Sequence, residues 1–262
     1  MRNLICLAAI GGGMALASTA SAVQIGDVYT LTARDSGGRA VLWNYDSARS
    51  SSAANNSSGI NRAALAGFIN WDVTALNGNA YVGSMSTFCV EIAEGFPDDP
   101  IDYTIADLTS VPEETPPGNM NANQSIMMQD LYNRYYVDVA TQDGGGESFG
   151  DYTNEQAAFQ LVIWEISHEN FSTTSLDDMK GELSIELGAM QITQDTSGSG
   201  IIAIASAMIS NLGTGGWWYD NVNPWVYGGT NPNNQDLLIV VPSPAIAALA
   251  GLGLVGMRRR RR

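Results

Sequence analysis

From residue 25 to residue 92 the apolar positions fall in short runs rich in β-branched and aromatic residues. "IGDVYTLTA" (25–33), "AVLWNYD" (40–46), "AGFINWDVTA" (66–75) and "AYVGSMSTFCVEI" (80–92) each read as a strand. Turn formers divide them: "DSGG", a Ser/Asn run at 50–59, and "NGN" at 77–79. A polar, proline-bearing stretch from Val111 to Asn123 reads as a long loop. The period then changes. Met127, Leu131 and Tyr135 recur at helical spacing, with Met128, Tyr132 and Tyr136 beside them. Thr153 and Gln156 have the T-x-x-Q spacing of a capping box before "AAFQLVIWEIS", a helix apolar almost all round and therefore expected to be buried. Ser175 with Asp178 marks another helix start, and Ile201–Leu212 reads as a further helix closed by Gly213. "DLLIVV" (236–241) reads as a last strand. The order β, α, β predicts an α+β fold: a β-sandwich or barrel with an inserted helical subdomain.

The two ends stand apart from this pattern. Arg2, an apolar and small-residue run, and Ala20-Ser21-Ala22 have the order of a secretory signal peptide, which assigns residues 1–22 to export. At the other end Val241-Pro242-Ser243-Pro244 precedes an apolar run of 13 residues, Ala245–Met257, and then Arg258–Arg262. That run is short of the roughly 20 residues of a spanning helix. The prolines confine any helix to the part that follows them. The tail resembles a PEP-CTERM-type sorting signal of the VPSP variant. The resemblance implies a bacterial protein, an exosortase-type processing protease as partner, transient inner-membrane anchoring through the tail, and a destination at the cell surface or in the extracellular matrix.

Charge sharpens this picture. The chain holds 12 basic and 27 acidic residues, and the end segments hold six of the basic ones and none of the acids. Residues 23–241 therefore carry six basic against 27 acidic side chains, a net charge of −21. Nucleic acids and anionic membrane surfaces are bound through Lys and Arg, so both are excluded as partners of the central domain. The 219 residues of that span suffice for one domain, with room for a subdomain.

Cys6 lies in the signal segment, which leaves Cys89 as the single cysteine of the domain and rules out an internal disulfide. Alternation in "STFCVEI" sets Phe88, Val90 and Ile92 on a core face. Thr87, Cys89 and Glu91 fall on the other, a more polar face expected under the helical insertion. Cys89 is then a small packing residue, an intermolecular pairing residue, or a nucleophile. In the third case a thiol held against a glutamine amide can expel ammonia and form an internal thioester.

Three segments in order bear on that choice: "FCVEI" (88–92), "FQLVIWEI" (159–166) and "NQDLLI" (234–239). Together they resemble the thioester domains of bacterial surface adhesins, over about residues 25–240, in a domain assigned to residues 23–240. The resemblance implies Cys89 as the thiol and Gln235 as the acyl donor, with Gln160 the second-choice partner and Trp164 on a central helix. The implied work is single-turnover acylation of surface or matrix amines or hydroxyls, with no enzymatic turnover and no cofactor. The sequence departs from the family pattern at Phe159, Glu165, Asn234 and Asp236. Without the resemblance, Gln160 reads as a buried amide bonded to the backbone and Trp164 as core. The alternative function is a noncovalent matrix protein that binds glycans or cations, with an inert Cys89.

His168 is the only histidine, and with one cysteine it does not furnish a zinc site. It is either a base near Cys89 or a partly exposed helix-end residue beside Glu165 and Glu169. Two acidic clusters, Asp98, Asp99, Asp102 and Asp143, Glu147, Asp151, make calcium the one candidate ion, without EF-hand spacing; solvated loop carboxylates are the other reading. In "GWWYDNVNPWVYGG", Trp217, Trp218, Tyr219 and Trp225 either cap the core or stack on sugars or a partner.

Overall fold

A computed structural model describes residues 23–49, 62–92, 100–141, 153–196, 198–220 and 225–241. Its strands are β1 (Val28–Ser36), β2 (Arg39–Tyr45), β3 (Arg62–Ala66), β4 (Phe68–Leu76), β5 (Asn79–Cys89), β6 (Ile101–Ala106), β7 (Met190–Asp195), β8 (Val226–Thr230) and β9 (Leu237–Val240). Its helices are α1 (Ala122–Thr141), α2 (Asn154–His168), α3 (Leu176–Glu182) and α4 (Ile201–Asn211). The fold is α+β, with a closed antiparallel barrel in the order β1-β4-β5-β9-β8-β6. Of the two β architectures expected, the barrel is the one adopted.

The β2–β3 hairpin leaves the barrel and forms a second sheet, β3-β2-β7. Strand β7 comes from within the helical insertion and pairs with β2, Trp43 opposite Ile192. The insertion is thus stitched to the first half of the chain by main-chain bonds. The run 66–75, expected as one strand, is divided at Gly67: β3 lies in the small sheet and β4 in the barrel. A methyl group on Gly67 would collide with the main chain of Gly37 and Gly38. Only glycine permits that crossing.

Strands β6, β7 and β8, and all of β3 but Ala66, were not expected. In β6 the alternation Ile101, Tyr103, Ile105 is a strand signal, hidden by the acids before it. In β8, Gly228 and Gly229 look like loop residues. They are flat positions in the barrel wall, where a methyl would meet Val111 and Ile239 side chains.

Two apolar clusters result. Leu31, Ile69, Trp71, Cys89, Tyr103, Ile105, Leu237 and Ile239 fill the barrel. Phe88, Val90, Met127, Leu131, Tyr132 and the apolar side chains of α2 form the larger core between barrel and helices. Every α2 residue from Gln156 to His168 is buried, as an all-round apolar helix requires. Its capping box forms as expected: Gln156 N donates to Thr153 Oγ1 at 3.2 Å, and Thr153 N to Gln156 Oε1 at 2.9 Å. Ser175 is the N-cap residue of α3 but makes no side-chain cap bond. The start of α4 is capped by Asp195, which accepts from Gly200 N at 2.9 Å. Among the described residues no helix is long and apolar enough to cross a membrane. Residues Val23–Ser243 form one compact unit.

Candidate functional site

Strand β5 ends where its neighbour β4 has already stopped, at Phe68 opposite Phe88. The next residue, Cys89, has lost a strand partner on that edge. Helix α2 replaces it with a side chain. Cys89 N donates to Gln160 Oε1 at 3.1 Å, and Gln160 Nε2 donates to Cys89 O at 2.7 Å. The same stripe of α2 continues along the strand end. Trp164 Nε1 donates to Glu91 O at 3.2 Å, and Ser167 Oγ, whose nearest carbonyl is Ile163 O at 2.9 Å, lies 3.3 Å from Val90 O. Residues 160, 164 and 167 recur at one face of a helix, so the Cys89 and Glu91 carbonyls are satisfied by α2 in a place that water does not reach. Both Gln160 and Trp164 were singled out in the sequence, and here they have structural roles.

On its other edge β5 pairs with β9, Cys89 opposite Leu237. Val90 N donates to Asp236 O at 3.0 Å and extends this pairing by one residue. Gln235 is therefore the diagonal neighbour of Cys89 on one face. Diagonal Cβ atoms on adjacent strands lie about 7 Å apart, within reach of a glutamine side chain. Gln235 Nε2 donates to Glu91 O, and Gln235 O accepts from Tyr103 Oη at 3.2 Å. Cys89 and Gln235 are both buried.

The face of Cys89 differs from expectation. Thr87, Cys89 and Glu91 are all buried, because barrel closure turns that side of β5 inward, and Phe88 and Val90 are the residues under the helices. The polar members are satisfied locally: Thr87 Oγ1 accepts from Trp71 Nε1 at 2.8 Å. Burial, and then the charge of Glu91, push the Cys89 thiol well above its usual range.

Two acids not singled out as site residues hold the surrounding loops. Glu91 accepts from Asp236 N at 2.7 Å and from Glu114 N at 3.0 Å. Asp236 accepts from Glu113 N at 2.8 Å and from Asn231 N at 3.2 Å. The end of β5, the 113–114 turn and the segment before β9 are thereby tied around Gln235. Burial and the neighbouring Glu91 raise the Asp236 carboxyl, against the pull of those backbone donors. The sequence signal was present: an acid two residues after the cysteine and another directly after the glutamine, both inside apolar motifs.

The other departures from the family pattern also have physical roles here. Phe159 packs on Phe88 and Tyr132, with ring centroids 4.8 and 5.0 Å away. Glu165 is buried and accepts from Ser184 N at 2.6 Å. Asn234 Nδ2 donates to Asn231 Oδ1 at 2.9 Å within the loop that leads to Gln235.

No family model, curated protein or solved structure matches this chain.

His168 is not bonded to Cys89. Its Nε2 lies 2.8 Å from Glu114 Oε1 and its Nδ1 2.8 Å from Ser167 Oγ. It is fully buried rather than partly exposed, because the 113–121 loop and Tyr45 close over the end of α2. It lines a polar cleft of about 310 Å³ with Tyr45, Gln124, Glu169 and Asn170.

The aromatic segment is split by the fold. Trp225 packs edge-on against Tyr132 and Tyr136, and Trp217 donates to Asp177 Oδ1 at 3.0 Å. Trp218 and Tyr219 are exposed. Of the calcium candidates, Asp102 is exposed on β6 and accepts from Thr30 Oγ1 at 2.6 Å; Asp98, Asp99, Asp143, Glu147 and Asp151 lie outside the described residues. Among the described residues no group of three or more His, Cys, Asp or Glu side chains could hold a metal ion. Val241 is buried at the end of β9, while Pro242, Ser243, Pro244 and the signal segment lie outside the described residues.

Proposed function

We propose that this chain is an exported surface or matrix protein that attaches covalently through an internal Cys89–Gln235 thioester, in a domain of the thioester-adhesin type. The register carries the reading: with Cys89 opposite Leu237, the thiol and the Gln235 amide are diagonal neighbours on one buried face. In the bond-forming step the Cys89 sulfur attacks Cδ of Gln235, the C–N bond breaks, and ammonia leaves with the thiol proton. An amine that later reaches the thioester takes the acyl group as an amide and returns the thiol to Cys89. Each molecule reacts once. The surrounding features suit this chemistry. Gln160 fixes the Cys89 main chain, the acids fix the Gln235 segment, and burial keeps water from a hydrolysable bond.

The PEP-CTERM-type tail supports export and sorting by an exosortase-type protease, with surface or matrix amines, hydroxyls or glycans as partners. Calcium and nucleic acid have no part in this reading.

A second reading is favoured by one observation, the upward push on the thiol. A neutral, buried thiol is a poor nucleophile. Cys89 would then be inert packing in a noncovalent matrix protein.

Intact mass of residues 23–243, prepared without reductant, separates the two. A mass one ammonia below the calculated value, rising by one methylamine on treatment and abolished in Cys89→Ala and Gln235→Ala, supports the thioester. A full mass with a titratable thiol leaves the second reading.

A further inference from the structure

The loop after α4 is held with unusual completeness for a surface segment. Asp130 of α1, fully buried, accepts from Gly213 N at 2.8 Å and from Trp218 N at 2.9 Å. Arg134, one turn on, bonds Asp130 at 2.7 Å and donates to Thr214 O at 3.0 Å and Gly216 O at 2.8 Å. Asn133 Nδ2 donates to Trp218 O at 2.7 Å, and Gln129 Oε1 accepts from Asp220 N at 3.1 Å. Four residues of one helix thus fix both ends and the middle of the loop. Gly213, at φ +67°, leaves room for the Trp217 ring, which a methyl there would strike. A loop so restrained loses little freedom when it binds.

What this backbone presents is aromatic. Trp218 is 52% exposed and Tyr219 45% exposed. The Arg134 guanidinium covers one face of the Trp218 ring, 4.7 Å from its centroid, which leaves the outer face open. A single open indole face takes a flat partner: a sugar ring, a nucleobase or another aromatic side chain. Charge argues against the nucleobase, because residues 23–241 carry −21 and a polyanion would be repelled. The rim argues against an aromatic protein contact. Asn133 bonds Trp218 O, Asp177 bonds the neighbouring Trp217, and the exposed Tyr219 follows in the chain; these are hydrogen-bonding residues, where the core of a protein interface would be apolar.

We propose that Trp218, with Tyr219, Asn133 and Asp177 beside it, is a preformed platform for a pyranose ring of a neutral polysaccharide. The site needs no thioester and is built from α1, the loop after α4 and the first turn of α3, apart from Cys89. It would bring the protein to a glycan surface reversibly.

The test is tryptophan fluorescence and calorimetric titration of residues 23–243 with cellohexaose, laminarihexaose and mannohexaose, with polygalacturonate as the polyanionic control. The expected result is binding of at least one neutral hexasaccharide with a change in emission, unaltered in Cys89→Ala. Trp218→Ala should weaken it at least about tenfold, while Trp218→Phe retains most of it and both unfold at the parent midpoint. The proposal is overturned by binding to none of the neutral probes, by equal binding in Trp218→Ala, or by polygalacturonate binding as tightly. Tests of this platform and of the thioester use separate readouts, so either can fail alone.

Discussion

Gln160 and Cys89 exchange two hydrogen bonds, side-chain amide to main-chain N–H and C=O, at 3.1 and 2.7 Å. A helix side chain thereby acts as the missing neighbour of strand β5 and fixes the position of the one cysteine in the domain.

Gln160→Leu keeps the volume and removes both bonds, leaving a donor and an acceptor buried without partners. It should destabilise the domain by about 2–4 kcal/mol, read by urea unfolding. A loss below about 0.5 kcal/mol would mean that the clamp has no energetic weight.

Stability should fall as pH rises from acid to neutral, the reverse of the usual carboxylate behaviour. Burial raises the Glu169 carboxyl to about 7, although Ala189, Asn170 and Met190 amides pull it down. Asp236 is raised for a similar cause. A carboxyl raised on folding binds its proton more tightly in the native state. The stability it lends is present below its unfolded value, near 4.5 for Glu169, and is lost as pH climbs to about 7. For Glu169 alone the loss is on the order of 2–3 kcal/mol. Thermal melts at pH 5 and pH 8 measure it. Glu169→Gln should flatten the profile, and an unchanged slope would remove Glu169 as its source.

Asp130→Ala leaves the Arg134 guanidinium without its carboxylate and the amides of Gly213 and Trp218 without an acceptor. A cost of about 3 kcal/mol or more is expected, together with cleavage of the 213–220 loop by protease under conditions where the parent resists. Resistance equal to the parent would show that the loop is held by its other bonds.

Gly67 is buried at the bend between β3 and β4, and Gly67→Val should destabilise the domain by roughly 2 kcal/mol or more. Its side chain has no space against Gly37 and Gly38. Gly78→Val, at the open β4–β5 turn where nothing lies near, meets only the strain of φ +72° and should cost less. Urea midpoints of the two variants compare them, and the opposite order would contradict the close crossing.

Features that depend on neighbours in the chain were legible before any fold was known. The capping box of α2 joins residues three apart, and the all-round apolar character of that helix already required burial. Strands β1, β2, β4, β5 and β9 were legible from β-branched and aromatic runs, and α1 and α4 from their spacing. Tertiary structure alone decided what depends on closure. Whether the Cys89 face of β5 is polar surface or barrel interior is set by β6 pairing with β1, a contact between residues 70 or more positions apart, and no local pattern encodes it. The glycines of β8 read as loop until Val111 and Ile239 press against them. Glu91 and Asp236 looked like intrusions in apolar motifs. Only when three distant segments meet do their carboxylates find the backbone donors that make burial tolerable.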